Sequence, residues 1–383
     1  MSRFPQWKLF FIIGASLVLA APEIKAQDNS GNSSWTSSSQ ISGPSGTTNP
    51  TRTTQTHSES GGRVIDKTTT EAADSDGRFR PYQETEKESV RINDTTTRTI
   101  ERIYGTDANG NRTLLQERQE DKRKLSDDAE KVTRTTSNPD ADGKLQVTQR
   151  ELVDSRQTSP GVRETKSTLF AADPSGTLAP KIQTEERETK RDGGTVEFKK
   201  STSLVDLSGN WALSEVREGT TKQSGNGDAV KEESVLRPDA NGRMSIVGRT
   251  VTRETDAGSG EKRESMETYS NSAPGQALDD HLYLVQREST VHRSSPTGQQ
   301  TTTRQVERPN PGDPGAGLRV TQEAIDIVRP GTGGSAQQTR TVLTSDPDGQ
   351  MKTVWVDIGK TDNPAVVHVE TTGEKKPTTS KPK

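Results

Sequence analysis

Apolar residues in this chain come as isolated residues and small groups, and the groups return at a fixed interval. The interval is marked by a turn. Asp74-Ser-Asp-Gly77 recurs as Asp107-Ala-Asn-Gly110, Asp140-Ala-Asp-Gly143, Asp173-Pro-Ser-Gly176, Asp206-Leu-Ser-Gly209 and Asp239-Ala-Asn-Gly242, a step of 33 residues each time. A seventh step reaches Ser272-Ala-Pro-Gly275, which keeps the Gly and loses the Asp. After an insertion the series resumes at Asp313 and at Asp346-Pro-Asp-Gly349. Aligned on the Gly, Phe79, Leu145, Leu178, Trp211, Met244 and Met351 lie just beyond the turn, with Leu114, Val147, Leu213 and Ile246 two places further on. A second apolar group precedes the turns: Ile103-Tyr104, Leu169-Phe170, Leu204-Val205, Val235-Leu236 and Tyr269. Fixed self-similarity of this kind marks a repeat architecture.

Asp with Gly is turn chemistry: the carboxylate bonds the backbone two residues on, and Gly accepts positive φ. A looser turn falls midway through each repeat, at Asn93-Asp94, Asp127-Asp128, Pro160-Gly161, Gly193-Gly194, Asn226-Gly227 and Gly258-Ser-Gly260. The segments between turns are rich in Thr, Val, Arg, Glu and Lys. Thr and Val favour strands, and the charge-rich stretches 84–91 and 116–125 lack the 3.6-residue apolar spacing of a helix. Each repeat therefore reads as one long antiparallel hairpin. The fold predicted is all-β, with about nine hairpins over residues 74–373 forming a long antiparallel meander that is extended, coiled or rolled. Disorder is the structural alternative. Across the Asp-x-x-Gly turn the two apolar groups should face each other, with Ile246 beside Val235 or Leu236. Mid-strand positions are polar on both faces, as in Glu185-Glu-Arg-Glu188, Arg217-Glu218 and Arg253-Glu254. Such strands cannot pack along their length against a second layer, so cross-strand pairs worth roughly 0.2–1 kcal/mol each must hold them. About 18 strands at ~4.8 Å would give an open ribbon of order 85 Å. Twist would coil it or roll it into a tube.

Composition narrows this further. Of 383 residues, 25% are hydrophobic and 4% aromatic, too few for a large packed core. Charged residues reach 28% but nearly cancel to a net of −3. That balance gives no basis for a nucleic-acid partner, and charged mid-strands exclude the outward apolar band of a transmembrane barrel. The start, with Arg3, Lys8 and the apolar run Leu9 to Ala21, reads as a signal peptide over 1–26. Residues 27–73, dominated by Ser, Thr, Gly and Asn, read as a flexible linker, and 374–383 as a Lys/Pro/Thr tail. The chain has no Cys, which removes disulfides and thiol chemistry.

Candidate chemistry is thin. Asn138, Asp140 and Asp142 place oxygen donors at alternating positions and invite a calcium reading. An EF-hand loop also needs a bidentate Glu at its twelfth position, and Gln149 stands there, so a plain turn is favoured. His57, His281, His292 and His368 fall in no ligand pattern. No nucleophile elbow, phosphate loop or basic face occurs. The turn from Asp239 to Met244 resembles the turn of YD/RHS-type shell repeats over a few residues per copy. The Tyr-Asp pair of that family is absent and the period here is longer, so the resemblance implies no function. The reading is an exported, non-enzymatic structural or interaction protein in a periplasmic, cell-surface or secreted setting. It would present a repetitive polar sheet to an unknown protein or glycan, without cofactor or membrane span. A calcium-stabilised surface adhesin is the alternative, and an envelope-polymer hydrolase a remote one.

Overall fold

The computed structural model describes residues 33–361, apart from 44–45, 48–50, 75, 108–109, 225–226, 240, 273–280, 311–312, 332–335 and 347. The proposed signal peptide and the tail 374–383 lie outside the described residues. The chain is all-β, a meander in which each long strand pairs antiparallel with its sequence neighbour. Among the described residues the Asp-x-x-Gly turns at Asp74, Asp107, Asp140, Asp173, Asp206, Asp239 and Asp346 fall where the sequence places them, as do the midway turns at Gly161, Gly193-Gly194 and Gly258-Ser-Gly260, whereas Asp313 begins the strand Asp313–Pro330. In the 74–77 turn, Gly77 N–H donates to the Asp74 carbonyl at 3.0 Å and Asp74 N–H to the Arg78 carbonyl at 2.9 Å. Asp74 Oδ1 accepts from the N–H groups of Arg78 (2.9 Å) and Asp76 (3.0 Å). The Arg78 N–H bond, with Arg80 and the Asp76 N–H adding to it, holds the Asp74 carboxyl below the usual carboxylate range. Gly77 takes φ +76°, which only glycine adopts without strain. The same bond pair repeats at Asp107, Asp140, Asp173, Asp206, Asp239 and Asp346.

The strand Ser33–Gly43 closes the sheet. It pairs with Thr51–Ser60 on one side (Trp35 opposite Gln55) and with Met351–Thr361 on the other (Trp35 opposite Thr361). Of the 21 strands, only the two-residue Gly46–Thr47 stands aside, so twenty form a continuous ring. Closure depends on this strand for a simple reason. Both of its partners run antiparallel to it, so they are parallel to each other and could not complete an antiparallel ladder directly. The sequence left open whether the sheet rolls, and it placed residues 27–73 in a flexible linker. The latter expectation is corrected: Ser33–Gly43, Thr51–Ser60 and Arg63–Ala73 are wall strands. The stretch lacks apolar residues, but β-branched threonines ladder across it, Thr53 opposite Thr70 and Thr54 opposite Thr69.

A second periodic feature was invisible in the sequence. Register shifts fall between Thr70 and Glu71, Ile103 and Tyr104, Thr136 and Ser137, Leu169 and Phe170, Thr202 and Ser203, Val235 and Leu236, and Thr268 and Tyr269. These positions keep the turn's spacing. A bulge adds a residue on one strand and increases local twist, so the ring carries a belt of bulges just short of its Asp-x-x-Gly end. Beyond it the apolar groups meet as expected: Leu236 opposite Ile246, Tyr104 opposite Leu114, Val205 opposite Trp211.

Removing residues 33–43 should leave two unpaired edges that cannot join. Size-exclusion chromatography of that deletion is expected to show aggregates where the full chain runs as a discrete species. A discrete deletion protein would mean that the ring does not depend on this strand.

Candidate functional site

Paired residues share a face of a sheet and alternate residues along a strand return to it, so the register assigns every side chain to one of two wall faces. Glu288 pairs with Val306, Thr290 with Arg304, and Thr302 with Asp326, which pairs in turn with Arg340. These residues lie on one face, and the ladder carries the same face round to Ser155 and Val132. All the buried residues lie on it except Ala73, Val216 and Val251. Side chains on the concave side of a curved wall converge and shield one another, so this face lines the inside. Strand contacts run mainly between ladder neighbours, and Leu145–Ser159 also approaches Leu178–Lys190 slightly. Nothing among the described residues fills the interior. A circular ring of this many strands, tilted ~40° and spaced ~4.8 Å, measures about 40 Å across.

The inner wall is charged. Glu288 is 7% exposed and receives both guanidinium arms of Arg304 at 2.6 and 2.8 Å. Asp326, 8% exposed, is held in the same way by Arg340 at 2.7 and 3.0 Å. Arg134 spans three strands between Glu120 (2.7 Å) and Glu151 (2.9 Å). Beside the first pair the charges conflict. Glu264 stands directly opposite Glu254 and opposite Thr290. Burial, then Glu254 and Glu288, push Glu264 from 4.5 up to about 7, with Arg304 acting the other way. The outer wall is charged at mid-strand as well: Arg98 bonds Asp121 at 2.6 Å and Arg102 bonds Glu117 at 2.8 Å. Ion pairs therefore occupy mid-wall on both faces.

The calcium candidates are bonded within the protein. Asp140 Oδ1 accepts from the N–H groups of Asp142 (3.0 Å) and Lys144 (2.9 Å), and Oδ2 from Gln146 (3.1 Å). Asn138 Oδ1 accepts instead from Gln116 at 3.1 Å on the neighbouring strand. The Asp140 carboxylate is bonded as those of the other turns are, and no cluster of three or more metal-binding side chains occurs among the described residues. His57 pairs with Asp66 at 2.6 Å and His292 with Thr302 at 2.8 Å; His368 lies outside the described residues. The sequence reading missed the buried Glu288–Arg304 and Asp326–Arg340 pairs and the Glu254–Glu264 opposition. All depend on register, and a charge-rich polar strand carries no local mark of it.

No family model matches the chain, and no curated protein matches it. Among solved structures it is similar to the siderophore receptor PirA from Pseudomonas aeruginosa, with a TM-score of 0.49 and 9% identity over 88% of this chain and 81% of that one. It is also similar to the outer membrane transporter YddB from Escherichia coli, with a TM-score of 0.43 and 8% identity over 88% and 81% of the two chains. The FrpB iron transporter from Neisseria meningitidis has a TM-score of 0.43 and 7% identity over 87% and 74%. The expected role as a structural or interaction protein displaying a polar sheet, with an adhesin or hydrolase as alternatives, is corrected. The sheet is closed by Ser33–Gly43 and is not displayed as an open ribbon, so it leaves no sheet edge for a partner to join.

Two outcomes test the wall. Glu264 binds its proton more tightly in the fold than in the unfolded chain, so its contribution is full below pH 4.5 and is lost as pH rises to about 7. Glu264→Gln should flatten the fall in melting temperature across that window and raise the melting temperature at pH 8; an unchanged pH profile would remove this role. Arg304→Ala strands a buried carboxylate and should cost somewhat less in urea unfolding than the ~3–5 kcal/mol of a fully buried pair, because Arg304 itself is half-exposed, whereas a loss like that of an exposed pair would show that Glu288 is well solvated.

Proposed function

We propose that this protein is a channel-forming barrel, a water-filled conduit for hydrophilic solutes. The observation that carries the reading is the closed ring of twenty strands with no described element inside it. Barrels of 16–18 strands already leave an aqueous channel, and a clear bore of roughly 25 Å remains after inner side chains are allowed for. The wall favours water: Arg134, Arg304 and Arg340 alternate with Glu120, Glu288 and Asp326. Both signs are present in near balance, so the conduit would choose by size and hydrophilicity more than by charge. The basic start and apolar run at 3–21 support an exported, envelope setting.

A chain without cysteine allows the bore to be sized directly. Thr165 faces inward, opposite Ser155 and Glu186, and Lys166 outward, opposite Asp154 and Glu185. With Thr165→Cys, maleimide reagents on polymers narrower than the bore should react and wider ones should fail. With Lys166→Cys, all sizes should react. Equal reaction of both variants with the widest polymers would mean an open sheet. Failure of even the smallest reagent at Thr165→Cys would mean that there is no passage.

A further inference from the structure

The wall changes character at the belt of bulges. On its Asp-x-x-Gly side, the outward face is mainly apolar over the twelve strands from Thr96–Thr106 to Tyr283–Ser294, while Arg112 stands beside Tyr104 and the ion pair Arg52–Glu71 and Glu307 interrupt this face elsewhere. Tyr104 and Leu114, Val205 and Trp211, Leu236 and Ile246 are directly paired there, and Phe170, Leu178 and Met244 share the same face. Several of these side chains are strongly exposed: Trp211 at 42%, Leu213 at 44% and Ile246 at 47%. On the other side of the bulges the same outward face is mostly polar and charged, with Arg102, Lys199 and Arg249 bonded or close to Glu117, Glu218 and Glu232 and Leu152 standing among threonines.

We propose that this apolar collar seats the barrel in one leaflet of a lipid bilayer, with the charged remainder of the wall standing in water. Three features select lipid over a protein partner. The collar covers twelve neighbouring strands of a convex wall, from Thr96–Thr106 to Tyr283–Ser294, and a bilayer surface can meet an outward band of that breadth. Its aromatic residues, Tyr104, Phe170 and Trp211 among them, are the types that settle at a membrane interface. Three of the turns that edge it carry exposed Arg78, Lys144 and Arg243 immediately after their glycines, placed to meet headgroup phosphates. Height sets the depth. About four residues of tilted strand separate turn and bulge, roughly 10 Å, against ~30 Å of hydrocarbon in a full bilayer. The collar matches one leaflet and cannot span two, so the conduit would open at the membrane surface without crossing the bilayer by itself, and the ion pairs above it would oppose deeper entry at ~2–4 kcal/mol for each midplane Arg or Lys.

The experiment uses the full chain and vesicles of phosphatidylcholine with phosphatidylglycerol. The chain should float with the vesicles, and the triple change Trp211→Ser, Leu213→Ser, Ile246→Ser should weaken binding at least ~tenfold, about 1.4 kcal/mol. Val230→Ser, an outward position at the opposite end of the wall, should leave binding unchanged. Circular dichroism of each variant guards against misfolding. A second reading needs no loss of binding: a fluorophore at Ile246→Cys should be quenched by bromine-labelled lipid, and one at Val230→Cys should not. Binding that survives the triple change would assign it to the apolar run at 9–21 and overturn the proposal. So would equal quenching at both positions, or collar-dependent self-association without vesicle binding, which would make the collar a contact between two copies. The polymer cut-off of the bore is read without lipid, so failure of the conduit and failure of the collar are separate results.

Discussion

Everything in this molecule depends on a ladder that closes. The wall is one sheet thick, and its buried apolar residues are a few Val and Ala. No core of ordinary size stands behind it. Each strand owes its order to two neighbours, and an open end would leave a row of backbone N–H and C=O groups without partners. Ring closure removes both ends together. It also explains why Ser33–Gly43, a segment of Ser, Thr and Gly with hardly an apolar residue, is ordered at all. Its stabilisation is set by the two edges it joins and owes little to its own side chains.

A ladder without a core has a register problem. Strands polar on both faces are prone to slip, because no hydrophobic face is lost when they do. Three devices oppose slippage here. The Asp-x-x-Gly turn fixes one end of each hairpin through its two backbone bonds and the Asp carboxylate. The bulge admits one extra residue at a set place in each repeat. The charges supply the third. Exposed ion pairs add little stability, commonly 0–1 kcal/mol, but they punish error. Sliding Arg98 two places from Asp121 brings it against Arg123 or Gln119, and sliding Lys166 from Glu185 brings it against Arg187 or Gln183.

The local parts of this design were legible in the sequence. Both turn series, the strand class and the meeting of Leu236 with Ile246 follow from residue types and spacing. The lopsided apolar distribution was visible too, though not that it forms a collar on one face, since that needs the register. What escaped was non-local. Closure joins residues more than three hundred positions apart. The strands before residue 74 share the composition of a linker, and only their neighbours make them strands. Glu264 is one glutamate among many until pairing sets it opposite Glu254. The bulges leave no compositional trace, because the residues that flank them vary from Thr-Glu to Ile-Tyr to Val-Leu.

The bulge belt and the turns together divide each strand into two zones, and the division has a physical logic. If the apolar side chains were spread along the strands, they would give the barrel an outward face greasy enough to aggregate in water and too charged to enter lipid. Gathered mainly at one end, the same residues leave most of the outer wall polar and give one rim an apolar band over the strands from Thr96–Thr106 to Tyr283–Ser294. The bulge is suited to the boundary because it adds twist and re-aims side chains where the polar ladder ends. Beyond it, residues such as Trp211 and Leu213 can stand outward without competing with ion pairs for the same row. The inner face carries the complementary arrangement: its most buried charges, Glu288 and Asp326, sit in mid-wall, each held by two bonds from one arginine. One sheet thus keeps a wet interior, a wet outer wall and an apolar rim with a single repeated turn and a single repeated bulge.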